Sequence, residues 1–302
     1  MTEPDPRPVV VCLGSVVMDH TFLVQDIVQP PSKNRATGYR LGAGGLAANA
    51  SVAVARLGGR CIFWGRVGDD LNGPPLLEAL AVQDVDVTHC HRAPNARTPV
   101  SAVLVDPVGE RSIYAYRGDN LGTDPAWLPL HLLDGARAFL CDPRWPEGSA
   151  RALDYARARG VPTVIDGEKS ETRLLLDLVP RCDHAVFSEP GLANYAPGAR
   201  PVDGLRKAIA EGCRAAAVTR GEKGTLWLTA EDPEPRVTPA FRVQATNTTG
   251  AGDVFHGAYA LAIAEGQPVG RAMRFASAAG GLRARDGATP DRAMVEALLL
   301  QA

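Results

Sequence analysis

The amino-acid sequence predicts an α/β fold: a mostly parallel sheet covered by helices on both faces and carrying a small inserted β lid. Three observations predict it. Short β-branched runs alternate with helix-patterned segments, those segments stop at glycines, and two stretches break the rhythm by alternating polar with apolar residues. The apolar runs fall at 9–13, 61–64, 138–141, 163–166, 185–187 and 215–219 and read as strands. Helices are expected at 46–57, 148–159, 203–211, 254–264 and 271–283. Gly58-Gly59 ends the first and Gly160 the second, because glycine enters the left-handed backbone that closes a helix without strain. No linker or composition shift divides the chain, so 1–302 is expected to be one domain.

The two exceptions to the rhythm lie near 20–41 and 97–118. In the second, 100–105 and 111–116 flank the turn-type sequence DPVGE at 106–110, the pattern of a hairpin. A small sheet inserted among βα units cannot bury both faces on the main sheet. One face is therefore expected to cover a ligand cleft or a partner subunit, which makes it a lid.

Composition narrows the function classes. With 302 residues, 45% hydrophobic and 22% charged, the chain can bury a core and is not of the disordered type. A net charge of −2 excludes a chain-wide attraction to nucleic acid or to an anionic membrane, so any anion site must be local. The first apolar run is only about six residues, too short for a signal sequence or a membrane span, and a cytoplasmic location is expected. Six scattered cysteines without a C-x-x-C are expected to be reduced thiols. His89-Cys90-His91 would set two imidazoles on one strand face, but no third ligand is near in sequence and no metal is expected there.

Two glycine-rich turns carry the chemistry. NTTGAGD at 247–253 precedes the apolar run 254–264, which can continue as a buried helix. Gly250 and Gly252 let backbone N–H groups turn toward one point, and the helix start adds its positive dipole end, so the turn suits an oxyanion or phosphate. An aspartate at the mouth of such a pocket is repelled by phosphate unless it takes a proton from an incoming hydroxyl, which makes Asp253 a candidate general base. Taken alone, the turn equally fits an aspartate that caps its helix. The second turn is GAGGLAAN at 42–49. Its three glycines permit close approach to a small ligand, and Asn49 lies where its amide can bond sugar-like hydroxyls or serve as an ordinary polar helix residue. Neither the dinucleotide fingerprint nor the P-loop spacing is present, so phosphoryl transfer here needs a different cradle.

These residues resemble the ribokinase (PfkB) family of sugar kinases. The resemblance lies in Gly44-Gly45 with Asn49, in ARLG at 55–58 followed by GRVGDD at 65–70 with Asn72-Gly73, and in TTGAGD at 248–253. Order and spacing match across essentially the whole chain, and two signatures about 200 residues apart are far more specific than either alone. The resemblance implies a ribokinase-like three-layer α/β/α sandwich with a small β-sheet lid, often used for homodimerisation, and ATP with magnesium as co-substrates. It implies that Asp253 accepts the proton of the attacking hydroxyl while the Gly250, Ala251 and Gly252 backbone steadies the transferred phosphoryl group. It places Asp19, Gly44, Gly45 and Asn49 on sugar hydroxyls and Thr219, Gly221 and Gly224 along the nucleotide.

Two motifs depart from the family pattern. Asn247 stands where an aspartate, linked in several members to a monovalent cation, is usual. In the N-x-x-E magnesium motif, Ser188 replaces the asparagine and Gly191 the glutamate, which leaves Glu189 to help organise magnesium. Within the family, DPRW at 142–145, DG at 166–167, DHAVFSEPGL at 183–192 and Phe255-His256 resemble the branch that phosphorylates 6-deoxy-6-sulfofructose at its C1 hydroxyl in sulfoglycolysis. That resemblance assigns the lid residue Lys33 and Arg144 to the sulfonate; Arg117, on the second lid strand, is a further candidate cation. A lysine point charge and a planar arginine fork suit an anionic C6 group. The polar amide expected near Ala115 is absent. A 6-phosphofructokinase or tagatose-6-phosphate kinase, a neutral ketohexose or ribose kinase, and a non-catalytic sugar-binding protein on the same fold are the alternatives.

Overall fold

The computed structural model describes residues 5–27, 33–107 and 109–301. Its first strand, β1 (Val9–Gly14), leads directly into two lid strands, β2 (Val17–Leu23) and β3 (Gly38–Gly44). Helix α1 (Leu46–Arg56), β4 (Arg60–Gly68), α2 (Gly73–Ala81) and the short β5 (Val85–Asp86) and β6 (His91–Ala93) follow. The hairpin β7 (Val100–Val105) and β8 (Arg111–Tyr116) completes the lid. The chain then returns to βα units with β9 (Ala138–Cys141), α3 (Pro146–Ala158), β10 (Thr163–Gly167), α4 (Thr172–Leu178), β11 (His184–Ser188), α5 (Glu189–Tyr195) and α6 (Pro201–Ala210). It closes with β12 (Ala215–Thr219), β13 (Thr225–Thr229), β14 (Arg236–Thr238), α7 (Ala251–Ala264), α8 (Val269–Asp286) and α9 (Arg292–Leu300).

The main sheet runs β14-β13-β12-β11-β10-β9-β1-β4-β5, parallel from β12 to β5 and antiparallel only at the β13–β14 edge. Its apolar runs are continuous because both faces are covered, and alternate residues enter different cores. Val10, Cys12 and Leu140 pack with α1, α7 and α8, whereas Val11, Leu13 and Phe139 pack with α3 to α6 on the other face. This is the three-layer arrangement expected.

The lid is a second sheet in the order β3-β2-β7-β8. It begins at Val17, earlier than the alternation near 20 suggests, so Asp19 is itself a lid residue. Its register aligns Asp19 with Gly42 and Ser101, and Ser101 with Ala115, on one face. Tyr39, Leu41 and Tyr114 lie on the opposite face and are 54%, 56% and 68% exposed. Among the described residues no helix is long and apolar enough to cross a membrane. At the histidine pair, His91 stacks on Trp127, Trp127 stacks on Trp145, and the Cys90 thiol bonds the Phe63 carbonyl.

Candidate active site

The glycine turn at 247–250 opens α7. Gly250 is its N-cap, in the left-handed region at φ 72°, and the first-turn N–H groups of the helix lack intrahelical acceptors. Asp253 does not cap this helix, because no side chain does. It turns sideways and accepts a hydrogen bond from Asn49 Nδ2 at 2.7 Å, joining the two glycine turns. Burial and the neighbouring negative charge of Asp166 push the Asp253 carboxyl up to about 7, although the Asn49 amide opposes this. A carboxylate poised there exchanges protons at neutral pH.

The lid lies across this point. Asp19 on β2 is half-buried and accepts the Ser101 hydroxyl. Burial raises its carboxyl above the ordinary range. Gly44 is glycine for a steric reason: a Cβ there would lie 2.0 Å from Asp19 Oδ2. Gly45, at φ 105°, likewise has no room, since its Cβ would meet the Ser15 carbonyl oxygen at 2.5 Å. Asp142 holds the floor together. Its buried carboxylate accepts from the Ser15 N–H at 2.7 Å, from Ala47 N–H at 3.2 Å and from Arg144 N–H at 2.8 Å.

The three predicted cations part company. Arg144 is half-buried beside this floor and forms no ion pair with another described residue. Lys33 is exposed, just beyond the undescribed residues 28–32. Arg117 is exposed and pairs with Glu171 at 3.3 Å. Opposite the missing amide at Ala115, Ser101 is the polar group present.

Two cations escaped sequence reasoning. Arg111 of the lid hairpin donates to the hydroxyls of Thr248 and Thr249, fastening the lid to the glycine turn. Arg283 of α8 is half-buried, with its Nη1 enclosed and without an acceptor among the described residues. It shares a cavity of about 290 Å³ with Asn49, Gly250 and Val254, and a Cβ on Gly250 would come within 3.6 Å of its guanidinium. Most basic residues of this chain are arginines, so neither position stands out in the sequence. Also missed is the buried contact between Asp166 and His256, at 3.5 Å.

On the far side, the Thr219 hydroxyl donates to the Phe187 carbonyl at 3.3 Å at the end of β12. The turn beyond it bends through Gly221 (φ 54°) and Gly224 (φ 76°). At Gly224 a Cβ would lie 2.2 Å from the Thr238 carbonyl oxygen, so β14 can approach only a glycine.

The sequence matches the pfkB family of carbohydrate kinases over residues 8–291. The chain belongs to that family. It is 28% identical over 299 residues to a ribokinase of Bacillus subtilis, covering 95% of this chain and 98% of that one. It is 26% identical over 272 residues to a deoxyribokinase of Salmonella typhi, covering 87% and 88%. A crystal structure from Agrobacterium tumefaciens, provisionally named a ribokinase, superposes with a TM-score of 0.92 at 34% identity over 98% of both chains. In this pfkB kinase the departures from the family signature have local explanations. Asn247 Oδ1 accepts the Thr249 N–H at 2.9 Å and shapes the turn. Ser188 caps α5 by accepting the Gly191 N–H at 3.0 Å and donates to Glu168 at 3.1 Å. Gly191 presses on the end of β10 so closely that a Cβ would lie 1.7 Å from the Gly167 carbonyl oxygen, which leaves no room for a glutamate. Glu189 is exposed in the first turn of α5.

Proposed function

We propose that this pfkB-family kinase transfers the terminal phosphoryl group of ATP to the C1 hydroxyl of a ketohexose bearing an anion at C6, with 6-deoxy-6-sulfofructose as the acceptor. The observation that carries the choice of sugar is Arg144. It is a half-buried cation beside the floor of the cleft that forms no ion pair with another described residue, Asp166 acting on it only through space, an arrangement that a bound anion would complete.

In this reading Asp19, aimed by Ser101, and the Gly44-Gly45 backbone hold sugar hydroxyls. Asp253, held by Asn49, takes the C1 hydroxyl proton as the sugar oxygen bonds to the terminal phosphorus and the bridging P–O bond to ADP breaks. The Gly250 and Gly252 N–H groups face the charge on the transferred group, whereas the Ala251 N–H, expected to join them, donates to the Thr248 carbonyl at 3.2 Å. Phosphoryl transfer depends mainly on such positioning and electrostatics. Thr219, Gly221 and Gly224 line the nucleotide. The Glu189 carboxylate forms no hydrogen bond or ion pair with another described residue. An exposed carboxylate at the carboxyl edge of β11 fits a magnesium ion that keeps most of its waters and rides on nucleotide phosphates. Such an ion supplies neutralisation of phosphate charge.

The names of the relatives, ribokinase and deoxyribokinase, and the pairing of Arg117 with Glu171 favour a second reading, a neutral pentose as acceptor. ADP release measured with sulfofructose, fructose 6-phosphate, fructose, ribose and deoxyribose separates the two. Arg144→Ala is expected to lower kcat/KM for the anionic sugar by roughly 10–100-fold, the loss of a charge-assisted bond, and to spare fructose. Preference for ribose, with equal losses for both ketohexoses, overturns the anionic substrate. The outer lid face, with Tyr39, Leu41 and Tyr114 open to solvent, is the surface through which we propose homodimerisation.

A further inference from the structure

His256 lies one turn beyond Asp253 on α7 and is 3% exposed. Its Nδ1 faces the Gly252 carbonyl oxygen of its own helix at 2.7 Å. Its Nε2 faces the Val186 carbonyl oxygen on β11 at 3.0 Å and Asp166 Oδ1 on β10 at 3.5 Å. Backbone carbonyls only accept. A neutral imidazole has one N–H and one lone pair, so one of these contacts would set a lone pair against a carbonyl oxygen. Only the doubly protonated ring satisfies both, and the buried Asp166 supplies the counter-charge.

We propose that His256 is held as an imidazolium and acts as a positioning residue for phosphoryl transfer, keeping Asp253 in its proton-accepting form and fixing the Gly252–Asp253 peptide. Two physical links connect the ring to the reaction. First, the Gly252 carbonyl and the Asp253 N–H belong to one peptide unit, so a cationic donor on the carbonyl polarises an N–H of the anion turn. Second, Asp253 is faced by negative charge from Asp166 on β10 and from Asp142 after β9. Asn49 on α1, Arg283 on α8 and His256 on its own helix oppose that field. Without the imidazolium, Asp253 would retain its proton to higher pH and could not act as a base near neutrality. Although burial works against the charged ring, Asp166 and the two carbonyls outweigh it and hold the imidazole above its usual range.

The proposal rests on the reading of Asp253 as the base, and its test separates the two. In the full-length enzyme, His256→Asn is expected to leave KM for sugar and ATP nearly unchanged. The acidic limb of the kcat/KM–pH profile should move upward by about one unit, which is about tenfold in kcat/KM below the limb. Nitrogen-15 NMR of histidine-labelled wild-type enzyme, which does not depend on the variant folding, should show both His256 ring nitrogens protonated at a pH where a free imidazole is neutral. An unmoved limb in a folded variant, or a neutral His256 ring in the wild type, overturns the proposal. Failure of the base assignment shows elsewhere, as turnover retained by Asp253→Asn, and leaves the NMR result for His256 intact.

Discussion

Asp253 is held in a form that weakens the fold. Its carboxyl lies at about 7 in the folded chain against an ordinary 3.8, so the unfolded chain ionises first as pH rises between those values. Stability is lost across that window, and the deficit persists above it. Asp253→Asn is therefore expected to raise Tm at about pH 8 and to change it little near pH 4, while kcat falls by roughly 10²–10⁴ and sugar affinity is largely kept. Thermal scans at the two pH values, alongside turnover and sugar titration, check this; loss of binding alone would count against a role in the reaction. Gly44 makes a steric counterpart. Because a Cβ there strikes the Asp19 carboxylate, Gly44→Ala should displace Asp19 and raise the sugar KM by more than the ATP KM in steady-state kinetics. At this scale the glycines, Asp253 and Asn49 were legible, because each stands in a turn whose residue types have few other uses. Arg111 and Arg283 were not, since one arginine among many carries no local signature.

Helices and strands were read best where the pattern is long. The strands Ala138–Cys141 and Ala215–Thr219 lie where their apolar runs predict, and α7 extends the expected segment 254–264 back to Ala251. The unread elements are short, and several announce themselves only by their caps. Helix α5 begins with Ser188 as N-cap and Pro190 in its first turn, and α9 with Asp291 accepting the Met294 N–H at 2.9 Å. Strands β5 and β6 hold two and three residues, too few for any periodicity, and exist because β4 offers an edge to pair with. The packing of α5 on β10 also yields a prediction. Gly191→Glu, which restores the usual family acid, should lower Tm and fail to improve the apparent affinity for magnesium–ATP, because the added Cβ collides with the Gly167 carbonyl. Tighter nucleotide binding without destabilisation would show that α5 can withdraw.

For the molecule as a whole, a sheet buried on both faces forms one continuous floor, and the lid sheet is the part left with a face to spare. Asp19 and Ser101 occupy its inner face, and Tyr39, Leu41 and Tyr114 lie open on the outer one. Sedimentation analysis is expected to give a dimer mass for the wild type and a monomer mass for a Leu41→Lys, Tyr114→Lys variant; a monomeric wild type would refute pairing through this face. The sequence by itself determined the alternation of strands and helices of an α/β fold, a lid in two pieces, and two glycine turns of the kind that suits an anion. Those features are encoded by residues close together in the chain, where sterics and periodicity act directly. Only the tertiary structure decided how the polar groups pair. Asn49 reaches Asp253 across 204 residues, Arg111 reaches Thr249 across 138, and Arg117 reaches Glu171 across 54. No local pattern encodes such choices, because each depends on which backbone segments the packed sheet brings within a hydrogen bond's length of one another.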